Sequence, residues 1–216
     1  MNAREQTAVF EPAPRPAVVA IAKDAVWLRR FVATEPLLEA IETVAAAAPF
    51  RHLRTRGGQM SVAMTNCGAQ GWHSDARGYR YVDHDPDSGR PWPAMPASFV
   101  ALASQAAATA GFGGFAPDCC LVNRYSVGAQ MGTHRDYDEL DFSHPIVSVS
   151  IGLPADFMWY GATRRGPPLR VPVEDGDVLV WGRSTRAGYH GVRRLAAPAA
   201  GIQAPWRYNL TFRRAK

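Results

Sequence analysis

The spacing of apolar side chains divides the chain into two textures. Leu37, Leu38, Ile41 and Val44 recur at helical intervals, with Thr34 as N-cap and Glu35 in the first turn, and predict a helix over residues 34–48. A second helix is expected over 97–110, closed by Gly111. From Asp118 onward the apolar runs shorten to strand length. Strands are expected at 119–125, 146–153, 157–160, 169–173, 178–181 and 208–213, with Asp175-Gly176-Asp177 as the turn between two of them. Short strands so closely spaced suggest a β-sandwich or a jelly roll. Between the helices, residues 57–95 are rich in Gly, Pro and aromatics, with a strand-like piece at 60–64 and little other regular structure expected. Trp72, Tyr79, Tyr81 and Trp92 argue against disorder there. Residues 1–16, with Pro12, Pro14 and Pro16 among charges, read as a flexible tail, and 17–216 as one domain in which helices and loops lie on a β core.

Composition narrows this picture. The 216 residues are 47% hydrophobic and 20% charged, enough for one well-formed core. No apolar run is long enough to cross a bilayer, and the stretch 17–22 is too short for a secretory signal and is interrupted by Lys23, so a cytoplasmic protein is expected. Cys67, Cys119 and Cys120 have no CxxC spacing and read as reduced thiols. The formal charge is +5, and nearly all the basicity is arginine, since lysine occurs only at Lys23 and Lys216. A basic balance favours an anionic partner such as nucleic acid.

Two patterns carry chemistry. His134-Arg135-Asp136 places an imidazole and a carboxylate two residues apart, which on extended backbone share a face. With a distant histidine they would offer two nitrogens and one oxygen to one side of a metal, leaving positions open as in non-haem iron oxygenases. His73-Ser74-Asp75 matches the same spacing, but it lies in the aromatic, Gly-rich segment, whereas His134 and His190 fall among the strands. The second pattern is Arg207-Tyr208-Asn209-Leu210-Thr211-Phe212-Arg213. Alternation puts Tyr208, Leu210 and Phe212 on an apolar face and Arg207, Asn209, Thr211 and Arg213 on the other. Two guanidiniums inside a barrel are costly unless anions meet them, and a small dicarboxylate supplies two. Asn123 and Tyr125 could add neutral donors, while a solvated edge strand is the alternative.

Asn123-x-Tyr125, His134-x-Asp136, His190 and Arg207-x-Asn209-x-x-x-Arg213 follow one another in the order of a known signature, that of the AlkB nucleic-acid demethylases. Met60-Ser61-Val62-Ala63-Met64-Thr65-Asn66-Cys67-Gly68, Gly71-Trp72, Gly78-Tyr79-x-Tyr81 and Arg90-Pro91-Trp92-Pro93-Ala94-Met95-Pro96 also resemble its bacterial members. The resemblance runs from about Phe50 to Arg213. It implies a mainly β, α+β fold: a double-stranded β-helix (jelly-roll) core over about 117–216, N-terminal helices, and a nucleotide-recognition lid over about 50–96. It implies Fe(II) on His134, Asp136 and His190, and 2-oxoglutarate on Asn123, Tyr125, Arg207, Asn209 and Arg213, with O2 as second co-substrate. It places Trp72, Tyr79, Tyr81, Asp138 and Arg164 at substrate-contacting positions. Gln130 and Tyr137 stand where the bacterial members lead us to expect lysines.

The implied activity is oxidative dealkylation of bases such as 1-methyladenine and 3-methylcytosine in DNA, chiefly single-stranded, with RNA a second candidate. The expected protein is a monomer without membrane association. Two rivals are a related dioxygenase acting on a protein or small molecule, and a noncatalytic cupin-like module. The first would lack the basic, aromatic lid, and the second would tolerate loss of a triad member.

Overall fold

The computed structural model describes residues 17–55, 57–197 and 204–216; the expected tail at 1–16 lies outside the described residues. In chain order the elements are β1 (Val18–Ala22), β2 (Ala25–Leu28), α1 (Glu35–Ala47), β3 (Arg54–Thr55), β4 (Gly58–Gln59), β5 (Ala63–Gly68), β6 (Gly71–Asp75), β7 (Gly78–Val82) and α2 (Ala97–Thr109). There follow β8 (Cys119–Tyr125), β9 (Met131–His134), β10 (Ile146–Gly152), β11 (Ala155–Gly161), β12 (Leu169–Val173), β13 (Val178–Trp181), β14 (Tyr189–Val192) and β15 (Arg207–Arg213). A seven-stranded sheet ordered β1-β2-β13-β10-β15-β8-β5 faces a four-stranded sheet ordered β12-β11-β14-β9, the two-sheet arrangement of a jelly roll. No helix of the described residues is long and apolar enough to cross a membrane.

Alternation along the large sheet builds two separate interiors. Val147, Val149, Val178, Val180, Leu210 and Phe212 point outward and join Leu37, Ile41 and Val44 of α1 and Phe99, Leu102 and Ala106 of α2 in one apolar layer. The opposite parity, including Leu121, Tyr125, Ile146, Leu179 and Trp181, points at the small sheet and packs with Phe157, Trp159 and Val171. β15 lies between β10 and β8, so its inward residues sit at the centre of that second interior. Asn209 lies opposite Asn123 of β8 and Ser150 of β10, and Arg207 lies opposite Tyr125.

Several expectations change. The sequence reading left 17–28 without structure, yet β1 and β2 form a hairpin that extends the large sheet through β13. The segment 57–95 is more regular than its composition suggests. The piece expected at 60–64 meets a strand only at Ala63 and Met64; β5 runs on to Gly68 and pairs with β8 along its whole length, and β6 and β7 form a second hairpin. β9 and β14 are four-residue strands containing Gly and His, too short and mixed for a visible period. Thr34 precedes α1 but makes no side-chain cap, because its hydroxyl donates to Asp175 Oδ2 at 2.8 Å. Leu38 is on the exposed side of α1.

The turn between β12 and β13 ties these pieces together. Gly176 has φ of +79°, and a Cβ there would come within 2.5 Å of the Val32 carbonyl. That close approach lets the Gly176 carbonyl accept from the Phe31 N–H at 2.8 Å. The buried Asp177 carboxylate accepts from Trp27 Nε1 at 2.9 Å, from the Arg30 N–H at 2.8 Å and from the Glu174 N–H at 2.9 Å. Asp177→Ala strands these donors. It should lower the unfolding free energy by about 3 kcal/mol, read as a reduced denaturant midpoint at unchanged slope. An unaltered midpoint would mean that water replaces the carboxylate without loss.

Candidate metal and carboxylate site

Pairing of β9 with β14 sets His134 opposite His190, with ring centroids 4.4 Å apart. Both imidazoles are oriented in the same way. Nδ1 of His134 lies 2.9 Å from the Gly132 carbonyl, and Nδ1 of His190 lies 2.9 Å from that of Gly188. A carbonyl only accepts, so each Nδ1 carries the proton and each Nε2 turns a lone pair inward. Asp136, just beyond β9, completes the group. Its Oδ1 lies 3.8 Å from His134 Nε2 and its Oδ2 lies 3.8 Å from His190 Nε2. The three ligand atoms fall within 4.8 Å of one another, the one such cluster among the described residues.

The electrostatics suit a cation. Burial, followed by the neighbouring His134, pushes His190 down to about 4, so its ring is neutral and available as a ligand. Burial pushes the Asp136 carboxyl up, but Arg213, the two histidines and Arg186 together outweigh it and hold it below the usual carboxylate range. Asp136 Oδ2 is buried without a hydrogen-bond partner, facing the two imidazoles. Two imidazole nitrogens and one carboxylate oxygen on one side of a point fit an Fe(II)-type ion with positions left open. Among the described residues, His73-Ser74-Asp75 gathers no third ligand. Asp75 is instead held by both terminal nitrogens of Arg80, at 2.8 and 2.7 Å.

Behind the triad, between the sheets, lies a small inner cavity of about 50 Å³ lined by Asn123, Tyr125, Ser148, Arg207, Asn209 and Arg213 among others. Arg207 stacks at 4.8 Å over the Tyr125 ring and donates to Ser150 Oγ at 3.2 Å, but its Nε and Nη1 are buried without partners. Burial lowers its pKa from the ordinary arginine value. Arg213 Nη1 and Asn123 Oδ1 are likewise unmatched. The arginine donors orphaned this deep are what a bound carboxylate would satisfy, whereas the Asn123 oxygen is an acceptor and needs a donor. Asn209 has a different situation. Its amide nitrogen donates to Ser148 Oγ at 2.8 Å and to the Val149 carbonyl at 3.0 Å, while its oxygen accepts from Thr211 and Asn123. It orients Asn123 more than it offers a free group.

On the other side of the triad an outer cleft of about 330 Å³ opens to solvent. Trp72, Tyr79 and Asp138 line it together with His134, Met60 and Met64. Trp72 and Tyr79 stack at 5.4 Å, and the Trp72 indole N–H donates to Asp138 Oδ2 at 2.9 Å. Two of the five expected substrate contacts are not on this wall. Tyr81 turns inward and donates its hydroxyl to Glu139 Oε1 at 2.7 Å. Arg164 lies exposed on the loop after β11 and donates to the Thr133 carbonyl at 2.9 Å.

Glu139 and Arg186 were not singled out from sequence, yet both are buried at the site. Arg186 Nη2 lies 3.2 Å from Glu139 Oε2, Arg213 Nε lies 3.2 Å from Glu139 Oε1, and Arg213 Nη2 lies 3.0 Å from Asp136 Oδ1. Two cations and two anions thus neutralise one another in a chain that begins at Tyr81 and ends on the metal ligand. The protein should bind one equivalent of a redox-inert ion such as Co(II). In titration calorimetry His134→Ala, Asp136→Ala and His190→Ala should each lose that site, while His73→Ala keeps it. Loss in His73→Ala alone would move the metal to the other HxD.

A family model, the 2OG-Fe(II) oxygenase superfamily, matches residues 24–213. The chain is 50% identical over 198 residues to the alpha-ketoglutarate-dependent dioxygenase AlkB of Salmonella typhimurium, covering 90% of this chain and 92% of that one. The AlkB of Escherichia coli matches to the same extent, 50% over 198 residues. The solved structure of OsALKBH1 superposes with a TM-score of 0.78 at 25% identity, covering 91% of this chain and 99% of its own. With its triad and its arginine-lined cavity, the chain belongs to the 2OG-Fe(II) oxygenase superfamily and, within it, to the AlkB family of Fe(II)- and 2-oxoglutarate-dependent dioxygenases.

Proposed function

We propose that this enzyme oxidatively removes alkyl groups from N-alkylated bases such as 1-methyladenine and 3-methylcytosine in DNA, preferring single strands, with RNA a further substrate. The observation that carries the reading is the continuity of the two cavities through the triad. Leu121, Met131, His134 and Arg213 line both the inner cavity and the aromatic cleft. A co-substrate held inside and a base held outside therefore meet at one point.

His134, Asp136 and His190 would hold Fe(II) in this reading. Bound iron supplies the oxidising chemistry, with O2 and 2-oxoglutarate consumed and succinate, CO2 and formaldehyde released. Arg207 and Arg213 offer guanidinium donors to the two carboxylates of 2-oxoglutarate. Asn123 and Tyr125 add neutral contacts, and Asn209 keeps Asn123 in place. The base must leave its stack to reach the cleft, which costs least in a single strand. Trp72, braced by Tyr79 and Asp138, forms one wall for the flipped ring and the His134 imidazole the other. The aromatic cleft and the net charge of +5 favour this substrate over a protein or small molecule. The direct test is incubation of a 1-methyladenine oligonucleotide with Fe(II), ascorbate and 2-oxoglutarate, following formaldehyde and restored base together. Succinate without restored base would point to another substrate.

Two further outcomes are expected. Arg207→Ala should raise the KM for 2-oxoglutarate at least about tenfold, because a charge-assisted contact contributes roughly 1.5–3 kcal/mol and a decade is about 1.4 kcal/mol. An unchanged KM, read from succinate formation, would remove Arg207 from the co-substrate site. Asp138→Asn keeps an acceptor for the Trp72 indole and removes only the charge. Bases methylated at N1 of adenine or N3 of cytosine are cationic. A carboxylate about 4 Å away attracts them by about 1 kcal/mol in water and about 4 kcal/mol at an effective dielectric of 20. The variant should therefore lose roughly tenfold in kcat/KM on cationic lesions and much less on neutral lesions of similar size. Equal losses on both would show that Asp138 shapes the cleft without reading charge.

A further inference from the structure

Tyr137 has no part in the chemistry above, yet it lies between two residues of the cleft wall, Asp136 and Asp138. It is 57% exposed, which leaves much of this aromatic side chain in water beside a binding cleft. The ring is organised. The Arg135 guanidinium lies 4.3 Å over the Tyr137 ring and 5.4 Å over that of Tyr189, so the cation is parked between two aromatics. Phe142 supports the Tyr137 ring with its centroid 5.1 Å away. Arg135 itself lines the cleft, and its guanidinium is the link from there to the Tyr137 ring, which lies outside the lining.

We infer that Tyr137 and Arg135 form a stacking platform for the nucleobase next to the extruded one. The inference rests on the nucleic-acid reading above and adds a subsite to it. A strand that delivers one base into the cleft must leave across its rim, and its neighbouring base has just lost a stacking partner. An exposed aromatic ring replaces that partner, and an arginine on the ring sits where the connecting phosphate passes. Paired aromatics and cations of this kind are how single strands are held without reading sequence. Such a subsite also favours single strands, since in a duplex the neighbouring base keeps its own stack and pair.

The test crosses the protein with the substrate. Wild type, Tyr137→Ala and Tyr137→Trp are each given a single-stranded oligonucleotide with one 1-methyladenine, flanked either by bases or by abasic residues. With bases present, kcat/KM in Tyr137→Ala should fall about tenfold, within the range seen when a base–aromatic stack is truncated. Tyr137→Trp should retain activity. With abasic flanks, wild type and Tyr137→Ala should converge, because the stacked partner is gone from both. A loss in Tyr137→Ala that is the same on both substrates would overturn the platform, and so would no loss on either. The same crossing is read by fluorescence anisotropy with labelled strands. If wild type binds but does not repair, the proposed reaction fails while the affinities still decide the platform.

Discussion

Arg207 and Arg213 stand on the inward face of β15, at the centre of a closed β core, and are among its most deeply buried side chains. Taking a guanidinium out of water costs several kcal/mol unless other groups replace the lost hydration. Much of the interior answers that cost. Arg213 is met by Asp136 and Glu139, Arg207 by the Tyr125 ring and Ser150, and the donors left over point into the inner cavity. The remainder of the cost is what a carboxylate ligand would relieve. The cavity is lined by charges that the fold alone does not fully satisfy, which suits it to an anion.

The same pairing joins parts of the molecule that are remote in sequence. Tyr81 on the β6–β7 hairpin, Arg186 before β14 and Arg213 on β15 converge on the carboxylates of Glu139, beyond β9, and Asp136. A side chain expected to touch substrate, Tyr81, donates to this buried pair. Glu139 is buried, so the β6–β7 hairpin rests on a buried ionic chain. Removing one member would leave an uncompensated charge beside the metal.

Much of the fold could be read from the chain because many of its elements are apolar runs bounded by turn signals. The strands at 119–125, 169–173 and 178–181 stand where those runs placed them, and the two-faced character of β15 where its alternation did. The elements that escaped are short or mixed. β9 and β14 hold the two histidines in four residues each, and β6–β7 is polar, aromatic and Gly-bearing, with no simple alternation. Strand identity there comes from pairing partners, which local pattern does not contain.

Residue types and spacings alone determined the ligand chemistry: two histidines with one carboxylate, and two arginines of like parity on one strand. The order of those motifs determined the family. Tertiary structure decided which HxD is complete, because only His134 has a second imidazole across a strand pair. It also decided that Glu139 and Arg186 are interior. A lone charged residue in sequence reads as solvated surface, and only the closing of the two sheets brings opposite charges near enough to hold one another out of water.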